Sequence, residues 1–525
     1  MLTDPENGIN DALPIGHGQA VASPADVDVW YDDGPRSDCE GRGVSHGSRG
    51  RTPLAGTAPR CERRSMSTTP ESTTDAPQTR PGRAADPTLG VVSRPAWRDD
   101  SASLLTRGYR FGDRIWQRVP RGARSAPMRL LFSDALLVRG AEGVAAFYDD
   151  ARVSRHGAMP PFIQETLFGH DSVHSLDGDE HRHRKATFVS ALYEDEQVAR
   201  LRPHLEREWR HEVDAWIAGS ERSAYDAAVG ALGRAIMRWA GLPGTGEAKT
   251  RWARRQAQIV DGFGVPYSPE YLLAALNRRW SDRHAERLIR AVRAGRLDAH
   301  PGTALAAWAG HRDSAGELLP ARLAGVELQN SFRPMIAVAR FTAFAAKRLQ
   351  EHPEWRERIA AEVAARGSLV DGPLATAFAQ EIRRTSPFVP MLPAFATQDI
   401  EVDGRTVRAG GRIVLDILGT DTDEGSWERA DVFDPERFVG VDDYEAITAF
   451  VPHGGADVAT GHRCPGEKLA IAGLAASISA LSDPRLAILP AGLEVNERRM
   501  PTKPRSGGRV RTAGSTGGAR CPFHR

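Results

Sequence analysis

The most informative segment of the chain is PHGGADVATGHRCPGEKLAIAGLAA, from Pro452 to Ala476. A glycine-rich stretch places a single cysteine, Cys464, just before an apolar run over 470–481 that predicts one buried helix. Glycines let the backbone approach a flat cofactor closely, and the amides at a helix start favour a thiolate. Two interpretations follow: Cys464 is a metal ligand, or it is a buried structural cysteine, the more common role of a free cysteine.

The composition is that of an ordinary globular protein. Of 525 residues, 41% are hydrophobic and 26% charged, with Lys+Arg 69 against Asp+Glu 68. This balance argues against nucleic acid as the main partner, because phosphate binding needs an excess of basic residues on one face. We expect no membrane span and no secretory signal, since no apolar run is long enough and the first residues lack the pattern. Only four cysteines are present, which favours a reducing cytoplasm over a disulfide framework.

One large domain is predicted over residues 96–503. Residues 1–95 are rich in Gly, Pro, Ser, Thr, Asp and Arg and lack hydrophobic periodicity, which predicts a disordered N-terminal extension. Met66 opens a plausible independent start, so residues 1–65 are either a mis-called start or an ordinary disordered tail. The Gly- and Arg-rich residues 504–525 predict a second disordered tail.

Periodicity within this domain predicts a fold that is mainly α with small β-sheets (α+β). One amphipathic helix is marked by apolar residues at intervals of three or four: Val198, Leu201, Leu205, Trp209, Val213 and Trp216. A longer helical stretch is predicted from about Ala321 to Gln350. A hairpin is predicted from 400–402, through an Asp403-Gly404 turn, to 412–415.

The Cys464 segment resembles the haem-binding loop of the cytochrome P-450 superfamily. Most of that superfamily carries a Phe seven residues before the cysteine and a Gly four residues before it. Asp457 and Thr460 stand at those places here, and the glycine is Gly461. The same departure is typical of one branch, the bacterial fatty-acid peroxygenases, whose loop is similar to GG…GHRCPGE.

Two further motifs of the superfamily precede the cysteine in the expected order. Glu381 and Arg384 are three apart in AQEIRRTSP and resemble the Glu-x-x-Arg ion pair. The segment DVFDPERF resembles the superfamily's PERF motif, whose Arg437 would join that pair. Together with the long helix, the match implies a cytochrome P-450 haem-thiolate fold with haem b on the thiolate of Cys464.

The long helix departs from the ordinary monooxygenase pattern. In GVELQNSFRPMIAVARF, residues 325–341, the Arg333-Pro334 pair stands where monooxygenases carry an acid followed by a threonine. Proline inside a helix costs about 3 kcal/mol and removes a hydrogen bond, so we expect a kink at Asn330. A cation on this apolar helix needs an anionic partner, and a substrate carboxylate fits because guanidinium binds carboxylate bidentately. The alternative is that Arg333 reaches solvent or pairs with a neighbouring acid.

Arg-Pro at this place is typical of the fatty-acid peroxygenases, and the segments TRGYRF, ETLFG and SVHSLDGDEHRHRK are also similar to theirs. The resemblance implies hydrogen-peroxide-dependent oxidation of long-chain fatty acids without a reductase, giving alpha- or beta-hydroxy acids or terminal alkenes. Arg333 stays protonated, so the bound carboxylate is expected to accept the proton of the peroxide.

Other site residues come from the same resemblance. His174 occupies a position where family members have Gln or His, and histidine there is similar to the members that decarboxylate fatty acids. The alternative for His174 is a satisfied structural histidine. Phe168 is expected to line the substrate cavity. The resemblance implies that Arg155, His181 and Lys185 neutralise the haem propionates. It also assigns Arg463 to the haem site.

Two alternative functions remain open at this point. An ordinary monooxygenase fed electrons by a reductase would share Cys464, Glu381 and Arg384. A haem-binding or sensor protein would share the fold but have no turnover. A helical protein without a cofactor is the remaining structural interpretation.

Overall fold

The structure is a computed structural model that describes residues 99–266 and 268–514. The predicted N-terminal extension, residues 1–95, and the last part of the predicted C-terminal tail lie outside the described residues. Among the described helices, none is long and apolar enough to cross a bilayer.

Helices form most of the described chain, with short strands between them. In chain order the helices are α1 (Ser101–Arg107), α2 (Phe111–Trp116), α3 (Gly140–Phe147), α4 (Pro161–Ile163), α5 (Gly178–Leu192), α6 (Asp195–Ile217), α7 (Ala224–Trp239), α8 (Gly246–Gly262), α9 (Pro269–Arg293), α10 (Ala304–Gly310), α11 (Ala321–Ala337), α12 (Ala339–Glu351), α13 (Pro353–Arg366), α14 (Pro373–Thr385), α15 (Ile417–Asp421) and α16 (Glu467–Leu481). The strands are β1 (Ser125–Leu130), β2 (Ser133–Val138), β3 (Val153–Ser154), β4 (Met391–Ala396), β5 (Ile400–Val402), β6 (Arg405–Val407), β7 (Arg412–Asp416), β8 (Leu486–Ile488) and β9 (Val510–Thr512). This confirms the predicted fold class, mainly α with small β-sheets.

The predicted amphipathic helix is α6. The apolar residues that predicted it are buried in the main helical core, where α6 packs against α7 and α16. The predicted buried helix after Cys464 is α16, whose apolar positions, such as Leu474 and Ile478, are fully buried in the same core. Spacing was sufficient for α6 because most of its stability comes from burying one face. For α16 the continuous apolar run was the signal, and nearly all of its residues are buried.

The largest sheet has five strands in the order β1-β2-β7-β4-β3, with β2 and β7 parallel and the other pairs antiparallel. The predicted Asp403-Gly404 turn is present, with both residues at positive φ (52° and 69°). Its predicted partner strand was wrong, because β5 pairs with β6 and not with β7. A two-residue turn places the next residues directly opposite the first strand, so residues 412–416 are too distant in sequence to close it.

The predicted disorder from Pro504 onward is wrong for residues 504–514. Strand β9 pairs antiparallel with β8, and the carbonyls of Gly507 and Gly508 accept the N–H groups of Tyr225 (3.0 Å) and Ala224 (2.6 Å). These amides belong to the first turn of α7, which has no helical partners for them. Both glycines have positive φ, so the glycine content that suggested disorder instead permits this cap.

The predicted long helix is present as α11 and α12, separated by Val338. Pro334 lies inside α11, which remains helical through Asn330. Asn330 and Arg333 hydrogen-bond to each other on the turn before the proline and support the helix there. The irregular turn is at Val338, whose N–H is shared between the carbonyls of Pro334 (3.3 Å) and Met335 (3.2 Å).

Candidate active site

Cys464 lies at the end of a loop that folds back on itself immediately before α16. Its N–H donates to the carbonyl of His453 (3.0 Å), and its own carbonyl accepts the N–H of Glu467 (3.3 Å). The N–H of Gly466 donates to the sulfur. Cys464 is the free cysteine of the described part of the chain, and its thiol keeps accessible surface.

The loop glycines accommodate a neighbouring helix end. A Cβ on Gly454 would come within 3.0 Å of the Tyr148 hydroxyl, and one on Gly455 would come within 3.0 Å of the Tyr148 ring and the Val144 side chain. Gly454 also has a φ of +88°, which other residues rarely adopt. These two glycines therefore let the loop pack closely on the end of α3, which fixes the position of Cys464.

Three predicted site residues keep accessible surface although the protein surrounds them. His174 and Pro334 are exposed and Cys464 is half-exposed. Yet desolvation lowers the pKa of His174 to about 3 and raises the pKa of Cys464. The two residues that flank Pro334 in the sequence are both buried. Side chains that are accessible but desolvated face an internal space. We call the region that they border the interior site.

On α11, the Arg333 guanidinium is bonded only to neutral acceptors. Its Nε donates to Gln256 Oε1 (2.7 Å), and Nη1 donates to Asn330 Oδ1 (3.0 Å) and to the carbonyl of Leu167. Its Nη2 lies 3.4 Å from Gln329 Oε1. The residue is 3% exposed, and no carboxylate of the described residues lies within ion-pair distance. Neither alternative predicted for Arg333, solvent or an acidic partner, is therefore seen.

The surroundings of Arg333 are short of negative charge. Burial lowers the pKa of its guanidinium well below the usual range, and the nearby Arg278 cation lowers it further. Asp282 and Glu327 oppose this shift, but Asp282 is already paired with Arg278 at 2.9 Å and Glu327 with Arg184 at 3.4 Å. An anion beside Arg333 would therefore be stabilised strongly, because it would compensate a desolvated cation.

Glu327 and Asn330 are site residues that sequence reasoning missed. The Glu327 carboxylate is fully buried and accepts the N–H of Val173 (2.7 Å) and Asn330 Nδ2 (2.9 Å). Asn330 Nδ2 also donates to the carbonyl of Phe168 (3.1 Å). Glu327, Asn330 and Arg333 recur every three residues, so they share one face of α11, and this spacing was the available signal. Through these bonds α11 is joined to the turn that ends at Phe168 and to the segment that carries His174.

Phe168 and His174 form a stacked pair, with ring centroids 4.2 Å apart. Phe168 ends a π-helical turn, Gln164–Phe168, a geometry that is rare and is found frequently at functional sites. Burial and the charge of Arg333 keep His174 neutral, and neither ring nitrogen has a hydrogen-bond partner among the described residues. These ring nitrogens without described partners argue against the alternative of a satisfied structural histidine.

A basic cluster lies beside the cysteine loop. Lys185 is buried and donates to the carbonyls of Gly461 and Arg463 (2.7 Å to the latter). His181 stacks on His462 with centroids 3.9 Å apart, and burial lowers the pKa of His181 to about 4. Burial likewise lowers the pKa of Lys185 to about 8. These buried bases have neutral partners, so anions placed among them would be stabilised.

The other two residues predicted to hold the cofactor are placed differently. Arg155 pairs with Asp150 (3.1 Å) and lies over the rings of Phe147 and Tyr148, where its charge still lowers the pKa of His181. Arg463 turns away from the cluster, because its guanidinium bonds to the buried carboxylate of Glu467 (2.7 Å). His462, and not Arg463, is the loop residue that joins His181. The side chains of His462 and Arg463 thus have different partners although they are neighbours in sequence, which sequence reasoning did not anticipate.

The described residues fit a haem held by Cys464. The thiol is free and accessible from the interior site, and an amide donates to its sulfur, as expected for a thiolate ligand. The buried bases Lys185 and His181 match two carboxylates, and the apolar wall at Pro334 matches a flat macrocycle.

Glu381 and Arg384 form a fully buried ion pair on α14. Two bonds of 2.7 Å join the carboxylate and the guanidinium, and neither side chain is exposed. Arg384 also donates to the carbonyls of Asp421 (3.0 Å) and Ala430 (2.9 Å). Arg437 approaches Glu381 to 3.8 Å, as predicted from the PERF motif. This network ties α14 to the segment that precedes the cysteine loop.

Glu381→Ala is expected to lower the free energy of unfolding by about 3–5 kcal/mol, because it leaves the Arg384 charge buried and unpaired. Urea unfolding of the haem-loaded protein measures this loss. Glu436→Ala is the matched control, since the Glu436–Arg358 pair is exposed (2.6 Å, 54% and 41%) and should cost at most about 1 kcal/mol. Similar losses in both variants would contradict a structural role for the buried pair.

Comparison with known proteins agrees with this geometry. A family model described as Cytochrome P450 matches residues 344–481, which include Glu381, Arg384 and Cys464. Curated relatives match over short stretches: 3-hydroxyindolin-2-one monooxygenase of Zea mays is 36% identical over 108 residues, 19% of either chain. Carnosic acid synthase of Rosmarinus officinalis is 31% identical over 142 residues, 25% of this chain and 27% of that protein. The matched region thus spans about a fifth to a quarter of the length of these curated relatives.

Solved structures match over nearly their whole length. Cytochrome P450SP alpha (CYP152B1) in complex with (R)-ibuprophen is 35% identical, with a TM-score of 0.72, covering 79% of this chain and 98% of that one. Ligand-free cytochrome P450 OleT is 29% identical, with a TM-score of 0.72, covering 79% of this chain and 96% of that one. A variant of OleT has also been solved in complex with arachidonic acid.

The chain therefore belongs to the cytochrome P450 family, in the bacterial fatty-acid peroxygenase branch that the Arg333-Pro334 pair predicted. Membership implies a cysteine-ligated haem and an oxidoreductase activity.

Proposed function

We propose that this protein oxidises long-chain fatty acids with hydrogen peroxide at a haem b held by Cys464, with the substrate carboxylate anchored on Arg333 and no reductase partner. The observation that carries the proposal is the buried Arg333 cation, which has four neutral acceptors and no carboxylate of the described residues within ion-pair distance. The similar proteins support it, because the arachidonic acid and ibuprofen in their structures are both carboxylic acids.

A carboxylate has a defined place beside Arg333. The guanidinium bonds to Gln256 through Nε and to Leu167 and Asn330 through Nη1, while Nη2 makes only one long contact. A bidentate carboxylate can replace the weakest of these neutral acceptors, and charge-assisted bonds are about twice as strong as neutral ones. The gain also offsets the desolvation that lowers the pKa of Arg333.

The haem, when bound, supplies the iron at which peroxide is cleaved. Cleavage requires that one peroxide oxygen lose a proton and the other gain one. Arg333 cannot take this proton, since guanidinium does not act as a base in proteins. The carboxylate that it holds can accept the proton and return it to the departing water, so the substrate completes the acid–base chemistry. Glu327 is not available for this role, because its oxygens are bonded to Val173 and Asn330.

Anchoring also determines which carbon reacts. The Phe168–His174 pair and Asn330 hold the two loops against α11, so the carboxylate end of the chain is fixed and the tail extends away. A fixed headgroup leaves the alpha and beta carbons nearest the iron, which favours alpha- or beta-hydroxy acids, or terminal alkenes after loss of carbon dioxide.

His174→Gln is expected to change the ratio of terminal alkene to hydroxy acid by about threefold or more, while fatty-acid binding changes less. A neutral imidazole with free ring nitrogens can bond to the carboxylate, and a glutamine amide at the same place bonds with different geometry. Gas chromatography of products from one fatty acid measures the ratio. Phe162→Leu, which alters a half-buried aromatic in the segment before Phe168, is the control. An identical product ratio in wild type and His174→Gln would show that His174 does not act on the substrate.

The first test of the function is product analysis with purified haem-loaded protein, palmitic acid and hydrogen peroxide. Hydroxy acids or alkenes formed without any reductase would support the proposal. Turnover that requires ferredoxin, its reductase and a reduced nicotinamide would instead establish an ordinary monooxygenase. Haem binding without turnover under either condition would favour a sensor.

A further inference from the structure

Helix α9 exposes a short row of leucines at its start. Leu272, Leu273 and Leu276 are 62%, 43% and 53% exposed, although large apolar side chains of this size are usually buried. Leu272 and Leu276 are one turn apart and therefore adjacent on the outer face of the helix. Ala274 and Asn277, on the opposite face, are buried against the core.

The same outer face continues as a row of arginines. Arg279, Arg283, Arg287 and Arg290 follow at intervals of three or four and are all exposed. Arg290 pairs with Glu286 (2.7 Å), but the other three have no ion-pair or hydrogen-bond partner among the described residues. The leucines and arginines thus form one stripe about 27 Å long, at 1.5 Å per residue.

The neighbouring helix α8 extends this basic surface. Arg251 and Arg254 are exposed, and Arg255 lies over the Trp280 ring of α9 at 4.4 Å. Together α8 and α9 carry ten basic and five acidic side chains, while the whole chain has 69 and 68. The rest of the chain is therefore net acidic, and the positive charge of these helices is a local feature. We call this face the α8–α9 surface.

We infer that the α8–α9 surface docks on an anionic lipid bilayer. Leucines at one end can enter the interface between headgroups and acyl chains, and arginines along the same face can pair with lipid phosphates. Nucleic acid would use the arginines but leave the leucines in water. A second copy of the chain, packed face to face, would bring two rows of arginines together.

The leucine end lies beside the segment that leads to the interior site. Tyr271 contacts Phe162 at 6.4 Å between ring centroids, and its hydroxyl lies 3.3 Å from Thr166 Oγ1. Thr166 belongs to the π-helical turn that ends at Phe168. A docked bilayer would therefore face the side of the protein that carries the π-helical turn ending at Phe168. Docking itself does not depend on the proposed reaction, because it uses side chains outside the interior site.

Vesicle co-sedimentation of the full-length, haem-loaded protein tests the inference without any substrate. We expect it to pellet with vesicles of phosphatidylcholine and phosphatidylglycerol at low salt, and much less with phosphatidylcholine alone. Removing three arginines, in Arg279→Gln/Arg283→Gln/Arg287→Gln, should lower the partition coefficient on the order of a hundredfold. Leu272→Ser/Leu276→Ser should lower it by about tenfold.

Matched variants remove the same groups elsewhere on the surface. Arg107→Gln/Arg366→Gln/Arg505→Gln removes three other exposed arginines, and Leu105→Ser removes another leucine that is 52% exposed. Both should bind vesicles within about twofold of the wild type. The inference is overturned if the protein does not pellet with anionic vesicles, or if the test and control variants lose binding equally. It is also overturned if the protein is a dimer that Leu272→Ser/Leu276→Ser dissociates without changing vesicle binding. Preference for DNA over anionic vesicles would also overturn it.

Discussion

Arg333→Ala is expected to lower kcat/KM for long-chain fatty acids by about two to three orders of magnitude with hydrogen peroxide, with haem content unchanged. Two charge-assisted hydrogen bonds in a desolvated site contribute about 3–4 kcal/mol, which corresponds to this factor. The substrate carboxylate would also lose the position from which it accepts the peroxide proton. Initial rates over a range of fatty-acid concentrations, with the haem content measured spectroscopically, give the result.

The matched comparison keeps the protein and changes the substrate. A fatty-acid methyl ester has no anion, so Arg333→Ala should alter its slow oxidation by less than about threefold. Arg333→Lys keeps the charge but loses the bidentate geometry, and we expect intermediate activity with the acid. Arg333→Ala with wild-type activity on the free acid would remove the anchor from the proposal, although the haem-thiolate assignment would stand.

Cys464→Ala should abolish the red-shifted Soret band of the ferrous carbonyl complex and reduce fatty-acid oxidation to the background rate. Cys464 is the cysteine whose thiol faces the interior site, and the loop bonds to His453 and Glu467 hold it there. The thiolate is what favours O–O cleavage in this class of haem site, so another ligand cannot restore the activity. The carbonyl-complex spectrum and the product yield measure the two effects.

Cys521→Ala is the control for this variant, because it removes another cysteine of the chain and should leave both readings unchanged. An unaltered carbonyl spectrum in Cys464→Ala would exclude this residue as the iron ligand. Loss of all bound haem would agree with the prediction, and circular dichroism would then show whether the helices are retained.

Local sequence patterns were sufficient to predict elements whose stability or geometry depends on residues close together in the chain. Helix α6 follows from the spacing of its apolar residues, since it is stabilised by burying one face. Helix α16 follows from its continuous apolar run, since it is buried on nearly all sides. The Asp403-Gly404 turn follows from the positive φ that these residues tolerate. The pairing of Glu381 with Arg384 was predicted from their spacing on one helix, but their complete burial was not.

Contacts between distant segments account for the order of residues 504–514, which was not predicted. Strand β9 pairs with β8, and the carbonyls of Gly507 and Gly508 accept amides of α7, far away in the chain. Local composition does not say which distant group supplies such a partner. The partner of β5 is instead a local one across the two-residue turn, and it was placed too far along the chain.

The chemistry of the candidate site was predicted from the resemblance of the Cys464 loop and of the Arg333-Pro334 pair to the fatty-acid peroxygenases. The hydrogen-bond partners of Arg333 could not be predicted from the sequence, because they come from α8, from the π-helical turn and from α11 itself. A motif specifies which groups are present, whereas their burial and pairing depend on how helices pack. That packing leaves Arg333 desolvated and without an acid among the described residues, and so makes it a site for an anion.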